Sequence, residues 1–311
     1  MDITRDDIAA AARRIAADVR PTPLLRIAGS ELGVACAELW LKLEHLQVSG
    51  SFKARGMFNR MRANTVPAAG VVIASGGNAG IAVAHAARTL GVRAEVFVPE
   101  SSSEAKRARL AQLGAVVTVR GASYADALAA SLERQRASGA LLMHAYDQRE
   151  VVEGAGTLAA EVEADAGVPD RALVSVGGGG LIAGVAAWFA GRSRVEALEP
   201  RLAPTLSAAL AAGHPVDVDV SGIAADSLGA RRIGEIAWSV AQRRVAASHL
   251  LADDAIRSAQ RALWNELRLA VEPAAALPLA ALATGTVEPR PGEKILLVIC
   301  GANVDPATLA G

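Results

Sequence analysis

Short apolar segments alternate with longer segments of helical character from about residue 70 to about residue 200. The predicted strands of this region are residues 70–74, 93–98, 116–119, 141–143, 172–176 and 195–198. Helices are predicted between consecutive strands, because apolar residues recur there at helical spacing. This alternation is typical of parallel strands, which need a long crossover connection. The sequence therefore predicts an α/β fold with mainly parallel sheets flanked by helices.

The two ends of the chain extend this pattern. Further helices are predicted at residues 5–19 and 253–269, and further strands at residues 39–43 and 294–299. Residues 200–245 are rich in Ala, Gly and Pro, and we expect them to be less regular. Because no flexible linker is apparent, a second domain would be inserted into the first rather than appended to it.

The composition favours a large core and a small-molecule ligand. The chain has 311 residues, 52% of them hydrophobic, which is enough for two domains. Its 32 basic and 32 acidic residues cancel, so no nucleic acid and no membrane is expected as a partner. Only two cysteines, Cys36 and Cys300, are present and the chain starts with polar residues. Both features favour a cytoplasmic location.

A lysine lies at a predicted strand-to-helix junction, in the segment Ser49-Gly50-Ser51-Phe52-Lys53-Ala54-Arg55-Gly56. At the first turn of a helix, unpaired N–H groups and the helix dipole lower the pKa of an amine. A neutral amine can condense with an aldehyde. Most lysines are solvated on a helix face, and taken alone the segment does not overturn that interpretation.

Two glycine-rich turns also lead from predicted strands into helices. Ser75-Gly76-Gly77-Asn78-Ala79-Gly80 can bring backbone N–H groups close to an anion such as a carboxylate, with Asn78 as helix cap and amide donor. Gly177, Gly178, Gly179 and Gly180 form a nest of donors suited to a phosphate. The second turn also matches the dinucleotide-binding pattern GxGxxA, with Glu196 or Glu199 placed for a ribose hydroxyl.

Cys300-Gly301-Ala302-Asn303 follows the last predicted strand, where open parallel sheets bind their ligands. Together with residues 42–47, the lysine segment and the two glycine-rich turns, this segment resembles the serine/threonine dehydratases. These are pyridoxal-phosphate enzymes of the tryptophan synthase β fold, also called fold type II. The resemblance runs in one order from about residue 22 to about residue 306, and it implies a pyridoxal 5′-phosphate cofactor.

The resemblance also implies a role for each motif. Lys53 would hold the cofactor and then act as the base on the substrate Cα, and Phe52 would pack near the cofactor ring. Asn78 would bind the 3′ oxygen of the ring, and Cys300 would face its nitrogen. The residues that would hold the substrate are Ser75, Gly76, Gly77, Asn78 and Ala79. The residues that would hold the phosphate are Gly177, Gly178, Gly179, Gly180 and Leu181.

Two further features bear on the reaction. A neutral thiol at Cys300 cannot hold a proton on the ring nitrogen as a carboxylate can, which disfavours a long-lived carbanion and suits prompt loss of a β-hydroxyl. Related serine racemases place a serine at the position of Gly76, so racemisation is not expected to be the main activity here.

Residues 199–205 resemble the cation loop of the same family. Glu199, the Ala203 carbonyl and Thr205 would suit a monovalent ion such as K⁺ better than Mg²⁺, because relatives that bind divalent metals place an acid where this chain has Thr205. An ordinary loop at the end of a strand is the alternative interpretation.

The family fold further implies how the chain divides. A small domain, residues 46–145, would be inserted into a large domain made of residues 1–45 and 146–311, with the cofactor between them. The family also favours a homodimer. Few residues follow the Cys300 motif, so no C-terminal regulatory domain is expected.

The resulting hypothesis is a dehydratase that converts L-serine or L-threonine to pyruvate or 2-oxobutanoate plus ammonia. The choice between the two substrates stays open. The alternatives are β-replacement as in cysteine synthase-like enzymes, an NAD-linked oxidoreductase that rests on the GxGxxA match, and a non-catalytic amino-acid-binding relative.

Overall fold

The computed structural model describes residues 2–35 and 38–309, so Cys36 lies outside the described residues. The described residues form two sheets and eleven α-helices, which confirms the predicted α/β class. The helices are α1 Arg5–Ile15, α2 Lys53–Ala63, α3 Asn78–Thr89, α4 Glu104–Gln112, α5 Tyr124–Ser138, α6 Arg149–Ala166, α7 Gly180–Phe189, α8 Thr205–Ala212, α9 Glu235–Arg244, α10 Asp253–Leu267 and α11 Pro273–Ala283. The strands are β1 Leu24–Ile27, β2 Glu38–Lys42, β3 Val71–Ala74, β4 Ala94–Val98, β5 Val116–Val119, β6 Leu141–Leu142, β7 Arg171–Ser175, β8 Arg194–Pro200, β9 Ala247–Leu251 and β10 Lys294–Val298.

The two sheets are mainly parallel, as predicted. The six-stranded sheet has the order β1-β2-β10-β7-β8-β9, and the four-stranded sheet has the order β5-β4-β3-β6. Among the described strand pairs, only β1 and β2 run antiparallel. The four-stranded sheet comes from residues 71–142, within the predicted insertion, whereas the other sheet uses both ends of the chain. The boundaries at residues 46 and 145 stay a prediction.

Three helices lie outside the segments for which a helix was predicted. α8 and α9 fall within residues 200–245, which we expected to be less regular, and α11 lies between two predicted elements. α11 is apolar on all sides and contacts β7, β8 and β10, so it has no polar stripe to reveal a helical period. α1 ends at Ile15, four residues earlier than predicted. Among the described residues, no helix combines the length and apolar character that a membrane span requires.

A buried ion network fixes α2 against the six-stranded sheet. The Arg55 side chain is fully buried, and its Nε and Nη2 each lie 2.7 Å from an oxygen of Glu44. Its Nη1 lies 2.6 Å from Glu161 in α6, whose other oxygen lies 2.6 Å from the Nζ of Lys42 in β2. Two cations and two carboxylates therefore neutralise one another. Because Arg55 lies two residues after Lys53, the network holds the first turn of the lysine-bearing helix.

Replacing Arg55 should destabilise the protein strongly. Arg55→Met leaves two carboxylates close together with one cation, and breaking a buried pair costs about 3–5 kcal/mol of unfolding free energy. Arg62→Met, in the same helix, is the matched control, because Arg62 is 45% exposed and pairs with Asp18 near the surface. That control should cost about 1 kcal/mol or less. Urea denaturation of both variants measures the difference, and equal small losses would contradict the role given to the network.

Candidate active site

Lys53 is the first residue of α2, as predicted, and its side chain is partly exposed although its amine is buried. Its Nζ donates a hydrogen bond of 2.7 Å to the Ala145 carbonyl and lies 5.0 Å from the centre of the Phe52 ring. Burial lowers the pKa of Lys53 to about 8, although negative charge at Cys300 and Glu272 would raise it. The expected lowering is therefore present, with burial rather than the helix end as the leading cause. The neutral fraction near neutral pH is therefore much larger than for an ordinary lysine, whose pKa is about 10.4.

Backbone pairing brings the Cys300 segment next to Lys53. The Phe52 N–H donates to the Cys300 carbonyl at 3.1 Å, and Ser51 forms an isolated antiparallel bridge with Gly301. Cys300 follows the end of β10 and is 3% exposed. Burial raises the pKa of Cys300 well above its ordinary value, and the charge on Glu272 raises it further. The thiol is therefore neutral, as the sequence analysis assumed.

Glu272 is a site residue that sequence reasoning missed. It precedes α11 and is 5% exposed, and both of its carboxylate oxygens accept from Asn78 Nδ2, at 2.8 and 2.9 Å. Burial raises the pKa of Glu272 to about 7, against the opposing effects of Asn78 and Lys53. A Cβ on Gly301 would lie 2.3 Å from Glu272 Oε1, so a side chain at this position would displace the carboxylate. The available signal was a lone acid before Pro273 in an otherwise apolar segment.

The four glycines connect β7 to α7 and are enclosed by other segments. A Cβ on Gly178 would lie 2.3 Å from the Tyr146 ring, and one on Gly180 would lie 2.8 Å from the Tyr146 carbonyl. Gly179 has a φ of +86°, a conformation that favours glycine. The first N–H groups of α7, including that of Leu181, have no carbonyl partner within the helix. This glycine loop, residues 177–180, is therefore a donor-rich site for an anion.

The turn at residues 75–79 leads from β3 into α3. Asn78 does not cap α3, contrary to the prediction: Gly77 is the N-cap residue, and the Asn78 amide instead contacts Glu272. Gly76, Gly77 and Asn78 line a cavity of about 630 Å³. Phe52, Lys53, Cys300, Tyr146 and the glycine loop line a second cavity, and the two meet at Asn78, Ser227 and Glu272. The segment predicted to bind the phosphate and the segment predicted to bind the substrate thus line two cavities that meet at these three residues.

These residues fit pyridoxal phosphate. A buried lysine amine with a lowered pKa suits the aldehyde of the cofactor. The glycine loop has no room for side chains and offers free N–H groups for the phosphate. The neutral Cys300 thiol lies in the same cavity. The family model described as "Pyridoxal-phosphate dependent enzyme" matches residues 15–301. The chain belongs to this family. The individual contacts of Phe52, Asn78, Leu181 and Ala79 with cofactor or substrate stay predictions.

Comparison with known proteins places this pyridoxal-phosphate enzyme more narrowly. It is 36% identical over 275 residues to "Phenylserine dehydratase" from Ralstonia pickettii, covering 86% of this chain and 84% of that protein. The solved structure of threonine deaminase from T.th. has a TM-score of 0.90 at 34% identity, over 97% of this chain and 99% of that one. Maize serine racemase also has a TM-score of 0.90, at 31% identity, over 100% and 96%. The predicted fold type II architecture is confirmed.

The reactivity of Lys53 should follow its lowered pKa. In cofactor-free protein, reductive alkylation of Lys53 by a small aldehyde and borohydride should increase with pH around a midpoint of about 8. The neutral amine is the reactive form, so labelling is weak below this midpoint and complete above it. Mass spectrometry of the Lys53 peptide measures the profile. Unfolded protein is the control, with a midpoint near the ordinary value of about 10.4, and the same midpoint in both states would contradict the burial argument.

Proposed function

We propose that this enzyme is a lyase that eliminates the β-hydroxyl of L-serine or L-threonine and yields pyruvate or 2-oxobutanoate plus ammonia. The observation that supports this proposal most strongly is that the Lys53 amine, the glycine loop and a neutral Cys300 thiol line the same cavity. The names of the similar phenylserine dehydratase and threonine deaminase support the same reaction class.

Pyridoxal phosphate, when bound, supplies the electron sink that makes the substrate Cα–H acidic. Lys53 would take the Cα proton, and the Ala145 carbonyl orients its amine. The free N–H groups at the start of α3 would orient the substrate carboxylate, since Gly77 provides no side-chain cap. Glu272, with a pKa of about 7, lies where the two cavities meet and could give a proton to the leaving hydroxyl. Cys300, as a neutral thiol, would add no negative charge beside the ring nitrogen.

A second candidate substrate is a hydroxy amino acid that carries a larger group on Cβ. The 630 Å³ cavity beside Asn78 is larger than a hydroxymethyl group needs, and its wall includes the apolar residues Ile81, Ile223 and Pro273. An aryl group could occupy this space, and the relative named phenylserine dehydratase supports this candidate.

Turnover of hydroxy amino acids tests the proposal. The purified holoenzyme should form 2-oxo acids from L-serine or L-threonine, and from phenylserine if the larger cavity is used. Lys53→Ala should lower this rate by about 10³-fold or more, because the cofactor-binding amine and the base are lost together. Lys294→Ala, which changes an exposed lysine, is the control.

Two outcomes would contradict elimination as the main reaction. Faster conversion of O-acetylserine plus a thiol to a β-substituted product would favour β-replacement. A colourless purified protein that binds NAD would favour the oxidoreductase alternative.

The proposal also predicts little racemisation. Gly76 offers no proton donor to the face of Cα opposite Lys53, so L-serine should give very little D-serine, and Gly76→Ser should raise the D-serine fraction. Gly76→Ala is the matched control, because a Cβ at either variant lies 3.2 Å from Ser102 Oγ and requires the same small shift. Chiral chromatography of the recovered serine measures the fraction. Abundant D-serine from the unmodified enzyme would show that another side chain serves that face.

A further inference from the structure

The loop after β8 contains the residues that resemble a cation site. Glu199 and Thr205 are fully buried, and Ala203 lies between them with 0% exposure. A K⁺ ion would need several oxygen atoms with lone pairs directed at one point. The hydrogen bonds of these residues show whether such lone pairs remain.

The Glu199 carboxylate is already occupied by donors of the protein. Its Oε1 accepts from the Leu206 N–H at 2.7 Å, and its Oε2 accepts from the Ser207 N–H at 2.8 Å. The hydroxyls of Ser207 and Ser248 lie 2.7 and 3.0 Å from the same Oε2. These N–H groups are the start of α8, whose dipole also favours a negative charge. The N–H groups at the start of α8 thus contact the carboxylate oxygens that a cation would need.

The other two candidate ligands also form hydrogen bonds within the protein. Thr205 Oγ1 lies 2.5 Å from the Gly177 carbonyl, so the hydroxyl proton lies between these two oxygens. Thr205 Oγ1 is 3.2 Å from Glu199 Oε1, and the Ala203 carbonyl accepts from the Thr205 N–H at 3.2 Å. The Glu199 oxygens thus accept from donors of the protein where a cation shell would need free lone pairs, and the Thr205 hydroxyl is held as a donor to Gly177, so the loop is held together without an ion.

We propose that Glu199 and Thr205 hold the glycine loop by direct hydrogen bonds, so that cofactor binding does not depend on a cation. Glu199 fixes the start of α8, α8 presents the Thr205 hydroxyl, and Thr205 fixes the carbonyl of Gly177, the first glycine of the loop. Thr205 is a positioning residue in this arrangement. The proposal rests on the cofactor role of the glycine loop and does not depend on which amino acid is the substrate.

Cation dependence of the unmodified holoenzyme is the first test. After chelator treatment and exchange into tetramethylammonium buffer, the melting temperature and the cofactor retained on dilution should be unchanged by K⁺, Na⁺ or Mg²⁺ at constant ionic strength. A saturable, ion-specific increase in either quantity would overturn the proposal. A protein that never holds the cofactor would instead overturn the proposed function.

Variants of Thr205 are the second test. Thr205→Val keeps the side-chain shape but loses the hydroxyl, and it should weaken cofactor retention by about 3- to 10-fold. Thr205→Ser should keep retention close to that of the unmodified enzyme. Thr89→Val is the matched control, because the exposed Thr89 hydroxyl also donates to a backbone carbonyl, that of His85, but in α3 away from the loop.

These variants also separate positioning from stability. If Thr205→Val and Thr89→Val lost the same amount of thermal stability and neither lost cofactor, Thr205 would be an ordinary helix-start residue and the proposal would be wrong. If Thr205→Val does not fold, the cation test on the unmodified holoenzyme still decides the outcome.

Discussion

Close packing around the glycine loop is the constraint on which the site depends. The Tyr146 ring lies where a side chain of Gly178 would be, and the carbonyl of the preceding residue, Ala145, accepts from Lys53. One short segment, between β6 and α6, therefore contacts both the glycine loop and the Lys53 amine. Because protein interiors are close-packed, this segment fixes the separation between the glycine loop and the Lys53 amine.

Burial favours the neutral forms of the titratable groups both in the site and in the ion network, but the outcome differs because their partners differ. In the site, burial moves Lys53 and Glu272 toward their neutral forms, to pKa values of about 8 and about 7, because neither has a close charged partner that compensates for it. Around Arg55, close carboxylates compensate for burial and the charges persist. The titratable groups of the site and those of the ion network thus differ in the charged partners that lie close to them.

The starts of the helices are used in two different ways. α3 and α7 begin at glycines without side-chain caps and open onto the cavities, so their N–H groups are available to a ligand. α8 and α9 are closed by buried or half-buried carboxylates, Glu199 for α8 and Asp147 for α9. The unpaired N–H groups at a helix start therefore have one of two uses. In α3 and α7 they are available to an anionic ligand, and in α8 and α9 they bind a carboxylate of the protein.

The sequence alone determined the α/β alternation, the lysine at the start of α2, the glycine loop and the family. These depend on local features: apolar periodicity, glycine runs and short motifs. The tertiary structure decided where α8 and α9 begin, because Asp147, which closes α9, is far away in the sequence, and Glu199 is not a local N-cap of α8. It also decided the role of Asn78, which contacts Glu272 across 194 residues instead of capping its own helix. Local pattern fixes which elements form, whereas contacts between distant residues fix which polar groups are already satisfied and which remain for the ligand.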